Sequence, residues 1–248
     1  ESTEGSRREG CVRMVVEILF EEVCGLYGDG QNVNYLQATL PQAQFVRTAL
    51  TDEPYFAEHT PDLIYIGSMS ERIQRRVIEK LRPYTARLKE LVEKDVPILA
   101  TGNAGEIFCK HITYKTEETE IDGLGLVDLT VETDYFNRYN GKVLADFEGM
   151  EIVGFRSQFS FMQGDNSQNY FLQVRRGDRI KKKSKLEGFR VHNLIGTNLL
   201  GPILPLNPLF CEYFVGLSGA QAEAAYKDEA MDAYRQRVKE FSDPEVKF

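Results

Sequence analysis

The sequence contains few of the residues that most often carry metal or redox chemistry. Its 248 residues include no tryptophan, three histidines and four cysteines. The cysteines form no CxxC pair, and the histidines form no cluster with the spacing of metal ligands. We therefore expect neither a metal nor a cofactor, and we expect the free thiols of a reducing cytoplasm rather than disulfides. The residues concerned are His59, His111, His192, Cys11, Cys24, Cys109 and Cys211.

Long apolar segments and an excess of basic residues are also absent. No apolar run approaches the roughly 18 residues of a membrane span, and residues 1–13 lack the apolar core of a secretion signal. We interpret residues 1–13 as a polar extension, with Met14 as a natural start. The net charge of −8 argues against non-specific nucleic-acid binding, which needs a basic surface. The composition thus predicts a cytoplasmic globular protein without a membrane span.

The sequence does contain an alternation of apolar strands and amphipathic helices. Short apolar runs predict strands, and apolar residues spaced three to four positions apart predict helices. Their order is typical of a doubly wound, flavodoxin-like, mostly parallel α/β sheet flanked by helices. The predicted strands are 15–20, 43–50, 63–66 and 96–100, and the predicted helices are 33–40, 71–93 with a break at Pro83, and 105–112.

After Tyr114, strand-like pieces follow one another without helices between them. We expect them to add a β-rich layer to one domain, residues 14–217. A C-terminal amphipathic helix in residues 218–248 is expected to pack on that domain or to extend it. A polar loop is predicted at 113–123, strand-like pieces at 129–133, 142–145, 151–155, 171–174 and 191–198, and the final helix at 220–241.

The segment 96–106 has the pattern of a nucleophile elbow, a strand that turns sharply through small residues into a helix. At the apex of such a turn a Cys or Ser is lifted toward solvent at the helix N-terminus, whose dipole favours a thiolate or an oxyanion. Here the apex is Gly102, which cannot act as a nucleophile. Cys109 lies about 10 Å further along the predicted helix and is too distant to replace it. The scaffold of a nucleophilic enzyme is therefore predicted without its nucleophile.

A glycine-rich loop follows the first predicted strand. Three glycines between positions 25 and 30 surround Asp29, and Asn32 follows. Two interpretations remain open: a turn whose glycines only supply positive φ, or a ligand-facing loop at the carboxyl end of a strand, where open α/β sheets bind ligands. Cys24, at the start of the loop, is either a small buried apolar residue or the one thiol near the predicted site.

A basic cluster at 175–185 runs against the acidic balance of the chain. It is compatible with a solvated loop and with a contact to an anion or a partner. Because no aromatic row is interleaved with the basic residues, the cluster does not have the pattern of a nucleic-acid platform.

Five motifs occur in the chain in a fixed order. They are Leu26-Tyr27-Gly28-Asp29 with Asn32, Ile66-Gly67-Ser68 with Glu71, Arg72 and Gln74, the segment 96–106, Gly123-Leu124-Gly125-Leu126, and the segment 195–208 with Gly201-Pro202. Together they resemble the CobB/CobQ-like class I glutamine amidotransferases, the cobyric acid synthase type. The nearest branch is the small glutaminase subunit that partners a Mur-ligase-like protein in amidating lipid II. The resemblance covers residues 14–215.

The resemblance implies where the family's catalytic residues fall. The nucleophile position is Gly102 and the general-base position is Leu200, so both groups are replaced. The family's Gln after the elbow falls on Glu106, its oxyanion strand end on residues 67–69, and its Glu-Asn-His segment on residues 156–158. Losing one member of such a pair costs on the order of 10⁴–10⁶ in rate. Glutamine hydrolysis by the family mechanism is therefore expected to be absent.

Three hypotheses follow from the motifs. The first is an inactive amidotransferase-like domain whose cleft binds a small polar, amino-acid-like ligand, with Arg156 as a carboxylate partner. The second is an interaction subunit docked to a Mur-ligase-like or other synthetase. The third is a working enzyme that uses a Cys–His pair elsewhere or another residue, such as Cys24, Asp29 or Glu106. The expected cleft residues are Tyr27, Asp29, Asn32, Ser68, Arg72, Gly102, Asn103, Glu106, Arg156 and Gln158.

Overall fold

The computed structural model of the chain describes residues 13–177 and 185–247. Residues 1–12 of the polar extension, residues 178–184 of the basic cluster and Phe248 lie outside the described residues. Across the two described ranges, no helix is both long and apolar enough to cross a membrane.

Strands and helices alternate in the first part of the chain, and strands dominate the middle. The strands are β1 (Val15–Leu19), β2 (Gln44–Thr48), β3 (Leu63–Ile66), β4 (Ile98–Thr101), β5 (His111–Tyr114), β6 (Thr119–Asp122), β7 (Thr130–Thr133), β8 (Tyr139–Phe147), β9 (Met150–Gln158), β10 (Ser160–Gln163), β11 (Leu172–Gly177), β12 (Leu186–Glu187), β13 (Phe189–Val191) and β14 (Leu194–Thr197). The α-helices are α1 (Gln31–Thr39), α2 (Glu71–Leu81), α3 (Thr85–Glu93), α4 (Ile203–Leu206), α5 (Pro208–Gly216) and α6 (Lys227–Ser242).

A six-stranded sheet in the order β13-β14-β4-β3-β1-β2 forms the centre of the fold. Its neighbouring strands are parallel except for the antiparallel pair β13 and β14. Every residue of β3, β4 and β14 is buried, because both faces of a parallel sheet are covered and its strands are therefore apolar on both sides. The predicted mostly parallel α/β sheet is confirmed. Parallel pairing also brings the carboxyl ends of β3, β4 and β14 to one edge.

The added β-rich layer consists of two four-stranded sheets, β10-β7-β5-β6 and β12-β11-β8-β9. Two hydrogen bonds join β9 to the segment after β14: the Phe155 amide donates to the Leu200 carbonyl at 3.0 Å, and the Leu200 amide donates to the Phe155 carbonyl at 2.7 Å. This bridge places residues 156–158 beside the edge where the parallel strands end. Helix α6 packs on the sheet β12-β11-β8-β9, where Tyr234 and Phe241 join Leu144 of β8 and Val153 of β9 in one apolar cluster.

Several predicted elements differ from the structure. The helix predicted at 105–112 is a 3-10 helix over Gly102–Phe108, since β5 already begins at His111. The loop predicted at 113–123 carries β6, which is mostly exposed and polar and therefore has no apolar signal. The strand predicted at 191–198 is the β13–β14 hairpin. The C-terminal α-helix begins at Lys227 rather than at 220, and α4 and α5 were not predicted.

Candidate functional site

A cavity of about 160 Å³, here called the cleft, lies at the edge where β3, β4 and β14 end. Five chain segments form its walls. They are residues 26–27 of the loop between β1 and α1 (here called the first loop), 68–71 after β3, 102–103 after β4, 157–160 from the end of β9 to the start of β10, and 198 and 200 after β14. The volume is close to that of engineered cavities that take up a benzene-sized molecule. The cleft can therefore hold a ligand of about the size of an amino acid.

The apex of the turn after β4 is a glycine with no room for a side chain. Gly102 has φ +59, a region that L side chains enter only at a cost of roughly 1–2 kcal/mol. A Cβ added there would lie 2.6 Å from the Ser68 Cβ and 3.0 Å from the Leu200 Cδ2. The Ser68 side chain thus fills the space beside the apex, and the buried Leu200 fills the other side.

Asp29 lies beneath the cleft and connects three of its walls. The Asp29 Oδ2 accepts hydrogen bonds from the Ser68 amide at 2.8 Å and from the Thr101 hydroxyl at 2.5 Å. Its Oδ1 accepts from the Asn32 side chain at 2.8 Å, and the Asn32 Oδ1 accepts from the Leu204 amide at 2.9 Å. Asp29 and Asn32 are fully buried. The sequence predicted that both residues line the cleft. In the structure they lie below its floor instead, because the loop between β1 and α1 folds them inward.

The backbone amides of the β3 end are already used within the protein. The Ser68 amide donates to Asp29, and the Met69 amide donates to the Asn103 Oδ1 at 2.9 Å. Asn103 also donates to the Met69 carbonyl at 2.8 Å, so it holds the β3 end and the apex together. These two amides are not available to stabilise an oxyanion in the cleft without breaking an internal hydrogen bond.

Glu106 is a buried acid behind the cleft wall. Its Oε1 accepts hydrogen bonds from the Ser160 hydroxyl and, at 3.2 Å, from the Asn198 amide group. Its Oε2 accepts from the Gln74 amide group at 2.9 Å. Burial raises the pKa of Glu106 to about 7, although the three hydrogen bonds lower it. Glu106 is 1% exposed and, like Asp29, supports the cleft from below.

The remaining predicted residues are divided between the cleft and its surroundings. Tyr27, Ser68, Gly102, Asn103 and Gln158 line the cleft. Arg72 is an exposed residue of α2 outside the lining. Arg156 is buried and lies on the far side of Gln158, to which its Nε donates at 3.0 Å. The structure therefore brings five of the ten predicted residues into the cleft wall, and the others support it or lie beside it.

The described cysteines are buried thiols outside the cleft lining. Cys24 is 2% exposed, and its Sγ lies 3.9 Å from the Met69 Sδ. Burial raises the pKa of Cys24 and the pKa of Cys211 to about 12, and it raises the pKa of Cys109 as well. Because a thiolate is the reactive form of cysteine, none of these three side chains is a ready nucleophile.

The structure adds cleft residues that were missed in the sequence. Asn198 lines the wall between Gly102 and Glu106, and Ser157, Phe159 and Ser160 line the β9–β10 side. Outside the cavity, the Arg138 guanidinium donates to the Tyr27 hydroxyl and to the Ser157 hydroxyl, both at 2.8 Å. A polar residue directly after the apolar strand 194–197 was an available signal for Asn198, whereas no local pattern pointed to Arg138.

Sequence and structure comparisons agree with this architecture. The CobB/CobQ-like glutamine amidotransferase domain family matches residues 16–207, so the chain belongs to that family. It is 31% identical over 156 residues to the lipid II isoglutaminyl synthase (glutamine-hydrolyzing) subunit GatD of Staphylococcus aureus (strain N315). The matched region spans 62% of this chain and 62% of that relative.

Two solved structures share the fold. A glutamine amidotransferase has a TM-score of 0.56 at 14% identity, with 83% of this chain and 99% of that chain covered. PurLQS from Thermotoga maritima has a TM-score of 0.53 at 11% identity, with 91% and 99% covered. The α/β fold of the glutamine amidotransferases, extended by one mixed and one antiparallel sheet, is therefore the fold of this chain.

The buried acid Glu106 predicts a pH-dependent stability. Its pKa is about 7 in the folded protein and 4.5 as the ordinary value. The folded state therefore binds more protons between these values, and stability falls as pH rises through that window. Relative to Glu106→Gln, wild-type protein should lose on the order of 2 kcal/mol of unfolding free energy between pH 5 and pH 8, measured by urea denaturation.

The control is Glu58→Gln, at an exposed position. This variant should keep the pH dependence of the wild-type protein. An equal pH dependence in wild type and Glu106→Gln would contradict the raised pKa.

Proposed function

We propose that this chain is an amidotransferase-like domain without glutaminase activity, whose cleft binds a small polar, amino-acid-like ligand. Family membership supports the amino-acid scale of the ligand, since the synthase of which the GatD relative is a subunit is glutamine-hydrolyzing. The 160 Å³ volume and a wall built from amide and hydroxyl side chains fit a ligand with several hydrogen-bonding groups.

The packing around Gly102 is the observation that carries the proposal. Acyl transfer from glutamine needs a nucleophile at the apex and a base beside it. At these two positions the chain has a glycine, whose missing side chain is replaced by the Ser68 Cβ, and a buried leucine. The site is thus packed as an intact wall, and not as a catalytic site with one group deleted.

An enzyme that uses another residue is the alternative, and the geometry gives it little support. Cys24 is a buried thiol with a pKa raised to about 12. Asp29 and Glu106 are occupied by internal hydrogen bonds below the floor. No histidine lies among the described residues that line the cleft.

Introducing a cysteine and a histidine at the family's catalytic positions tests the proposal that the chain lacks glutaminase activity. We expect no ammonia release from glutamine by the wild-type protein and measurable release by the triple variant Ser68→Gly/Gly102→Cys/Leu200→His. The Ser68→Gly change is needed because Gly102→Cys alone forces a contact at 2.6 Å. That single variant should lose about 3 kcal/mol of stability, and Ser68→Gly should recover part of the loss in thermal unfolding.

The matched control is Ser68→Gly/Gly102→Cys, which has a thiol without a base. Its ammonia release should stay far below that of the triple variant. Glutaminase activity of the wild-type protein would refute the proposal, and its loss in Cys24→Ala would then identify the nucleophile.

Ligand binding in the cleft is tested through Tyr27. This residue has φ +58 and is 52% exposed at the cleft wall, so Tyr27→Gly removes the ring and relieves the backbone. We expect calorimetry with glutamine, glutamate and asparagine to show millimolar or tighter binding to wild type. Tyr27→Gly should weaken it about fivefold to tenfold.

Tyr226→Gly is the matched control for this measurement. Tyr226 also has a positive φ, +53, and is 73% exposed, but it lies before α6 and outside the cleft lining. Its replacement should leave the affinity unchanged. Absence of binding to wild type at millimolar concentration, or an equal loss in both variants, would refute a ligand site at Tyr27.

We further propose that the chain docks a synthetase subunit of the Mur-ligase-like or a related kind. The GatD relative is a subunit of a synthase. Two apolar side chains are exposed at the cleft, Leu26 at 41% and Tyr27 at 52%. Phe136, which is 84% exposed, lies two residues before Arg138, whose guanidinium donates to the Tyr27 hydroxyl. Phe136 is held on a turn in which its amide donates to the Asp134 Oδ1 at 3.1 Å. Exposed aromatic residues of this kind are frequent anchors of protein interfaces.

Docking is tested by coexpression with a Mur-ligase-like synthetase and size-exclusion chromatography. We expect a stable complex with the wild-type chain and a complex weakened at least about tenfold by Phe136→Ser. Tyr226→Ser removes another highly exposed ring, 73% against 84% for Phe136, outside the cleft lining and should have no effect. A chain that stays monomeric beside the synthetase would refute this partner.

A further inference from the structure

A second, smaller cavity of about 40 Å³ lies behind the cleft wall. It shares Gln158 and Asn198 with the cleft, and its other polar lining residues are Arg156, Asn166 and Glu187. The volume exceeds the space that one water molecule needs and fits a group of a few heavy atoms.

Two buried and oppositely charged side chains line this cavity. Arg156 and Glu187 are each 5% exposed. The Glu187 oxygens accept hydrogen bonds from the Thr197 hydroxyl at 2.9 Å and from the Asn198 amide at 2.7 Å, which leaves further acceptor capacity on the carboxylate. The Arg156 Nη1 is buried and has no hydrogen-bond partner among the described residues. Within that part of the chain, Nη1 therefore makes no hydrogen bond to the Glu187 carboxylate or to any other group.

The surroundings of the cavity hold these charges in place. Arg156 donates through Nε to Gln158, and the Gln158 amide group donates to the Ser160 carbonyl at 2.5 Å. Burial lowers the pKa of the Arg156 guanidinium and raises the pKa of the Glu187 carboxyl, and attraction between the two groups offsets part of both shifts. An unmade hydrogen bond at a buried charge is costly, so a partner that accepts from Arg156 and donates to Glu187 would be favoured here.

We propose that this cavity binds the head group of an α-amino acid, with its carboxylate on Arg156 and its ammonium on Glu187. A guanidinium is well matched to a carboxylate, and the free lone pairs of Glu187 can accept from an ammonium. The proposal rests on the function proposed above for the class of ligand, but it uses residues behind the cleft wall. It explains why one cation and one anion are both buried around a space that neither fills.

A simple anion is the competing occupant. Arg156 also borders a pocket of about 130 Å³ formed with residues 138–143, which include Arg138 and Lys142. An anion bound there would use the guanidinium without needing Glu187. The two occupants therefore differ in their dependence on Glu187 and in their need for an ammonium group.

The experiment is calorimetry with glycine, acetate and methylammonium on the full chain. Glycine carries both charged groups without a side chain, whereas acetate and methylammonium carry one each. We expect glycine to bind wild type at least about tenfold more tightly than either fragment. The double variant Arg156→Met/Glu187→Gln should lose glycine binding by at least about tenfold. It should stay folded, because removing both charges of a buried pair is often neutral or stabilising.

A surface pair provides the matched control. Arg175 on β11 and Glu151 on β9 form an ion pair, and their side chains are 41% and 38% exposed. Arg175→Met/Glu151→Gln makes the same chemical changes outside the cavity and should leave glycine binding unchanged. Acetate binding as tight as that of glycine, retained in Glu187→Gln, would overturn the proposal in favour of an anion site. If glycine does not bind to the wild-type protein, the head-group proposal is overturned and water is the occupant of the cavity.

The two proposals fail in different ways. If glutamine binding is weakened by Tyr27→Gly but not by Arg156→Met/Glu187→Gln, the cleft ligand stands and the head-group site is refuted. If glycine binding is lost in the double variant while Tyr27→Gly affects no amino acid, the head-group site stands and the cleft ligand is refuted.

Discussion

The buried carboxylate of Asp29 is the constraint on which the cleft depends. It joins the first loop to the amide of Ser68 after β3 and to Thr101 at the end of β4. Burial raises its pKa, and the hydrogen bonds from Thr101 and Ser68 lower it. A fully buried acid is tolerated only when its oxygens are satisfied, so the position of three separate chain segments is set by one side chain. The cleft is rigid at its floor because its walls share this anchor.

A second group of buried polar residues connects the floor to the β-rich layer. Glu106 accepts from Gln74 on α2, from Ser160 at the start of β10 and from Asn198 after β14. Asn198 in turn donates its backbone amide to Glu187. Buried networks of this kind specify one arrangement of the elements that they join. The added β-layer is thus part of the site, since it supplies Gln158 and Ser160 to the cleft wall.

The sequence predicted the positions of β1 to β4 along the chain well, because parallel strands are nearly continuous apolar runs. The five motifs pointed to the family that the comparison confirms. It also placed a sharp turn at Gly102, which the structure has directly after β4. The assignment of the family's nucleophile and base to Gly102 and Leu200 stays a prediction. Side-chain direction was harder to predict. Asp29 follows a strand end and was placed in the wall, but the first loop turns it into the floor. Arg156 was placed in the cleft because the family's Glu-Asn-His segment falls on residues 156–158. It shares a face of β9 with Gln158, contacts that side chain and lines the smaller cavity instead of the cleft.

The contact between Gly102 and Ser68 also limits the order in which this chain can change over time. A side chain at the apex meets the Ser68 Cβ at 2.6 Å, so its acceptance depends on what occupies position 68. A cysteine at position 102 is accommodated more easily after Ser68 has become smaller, and that first step brings no catalytic advantage of its own. The effects of the two positions are therefore not additive, and the glycine at the apex is difficult to replace by a single substitution.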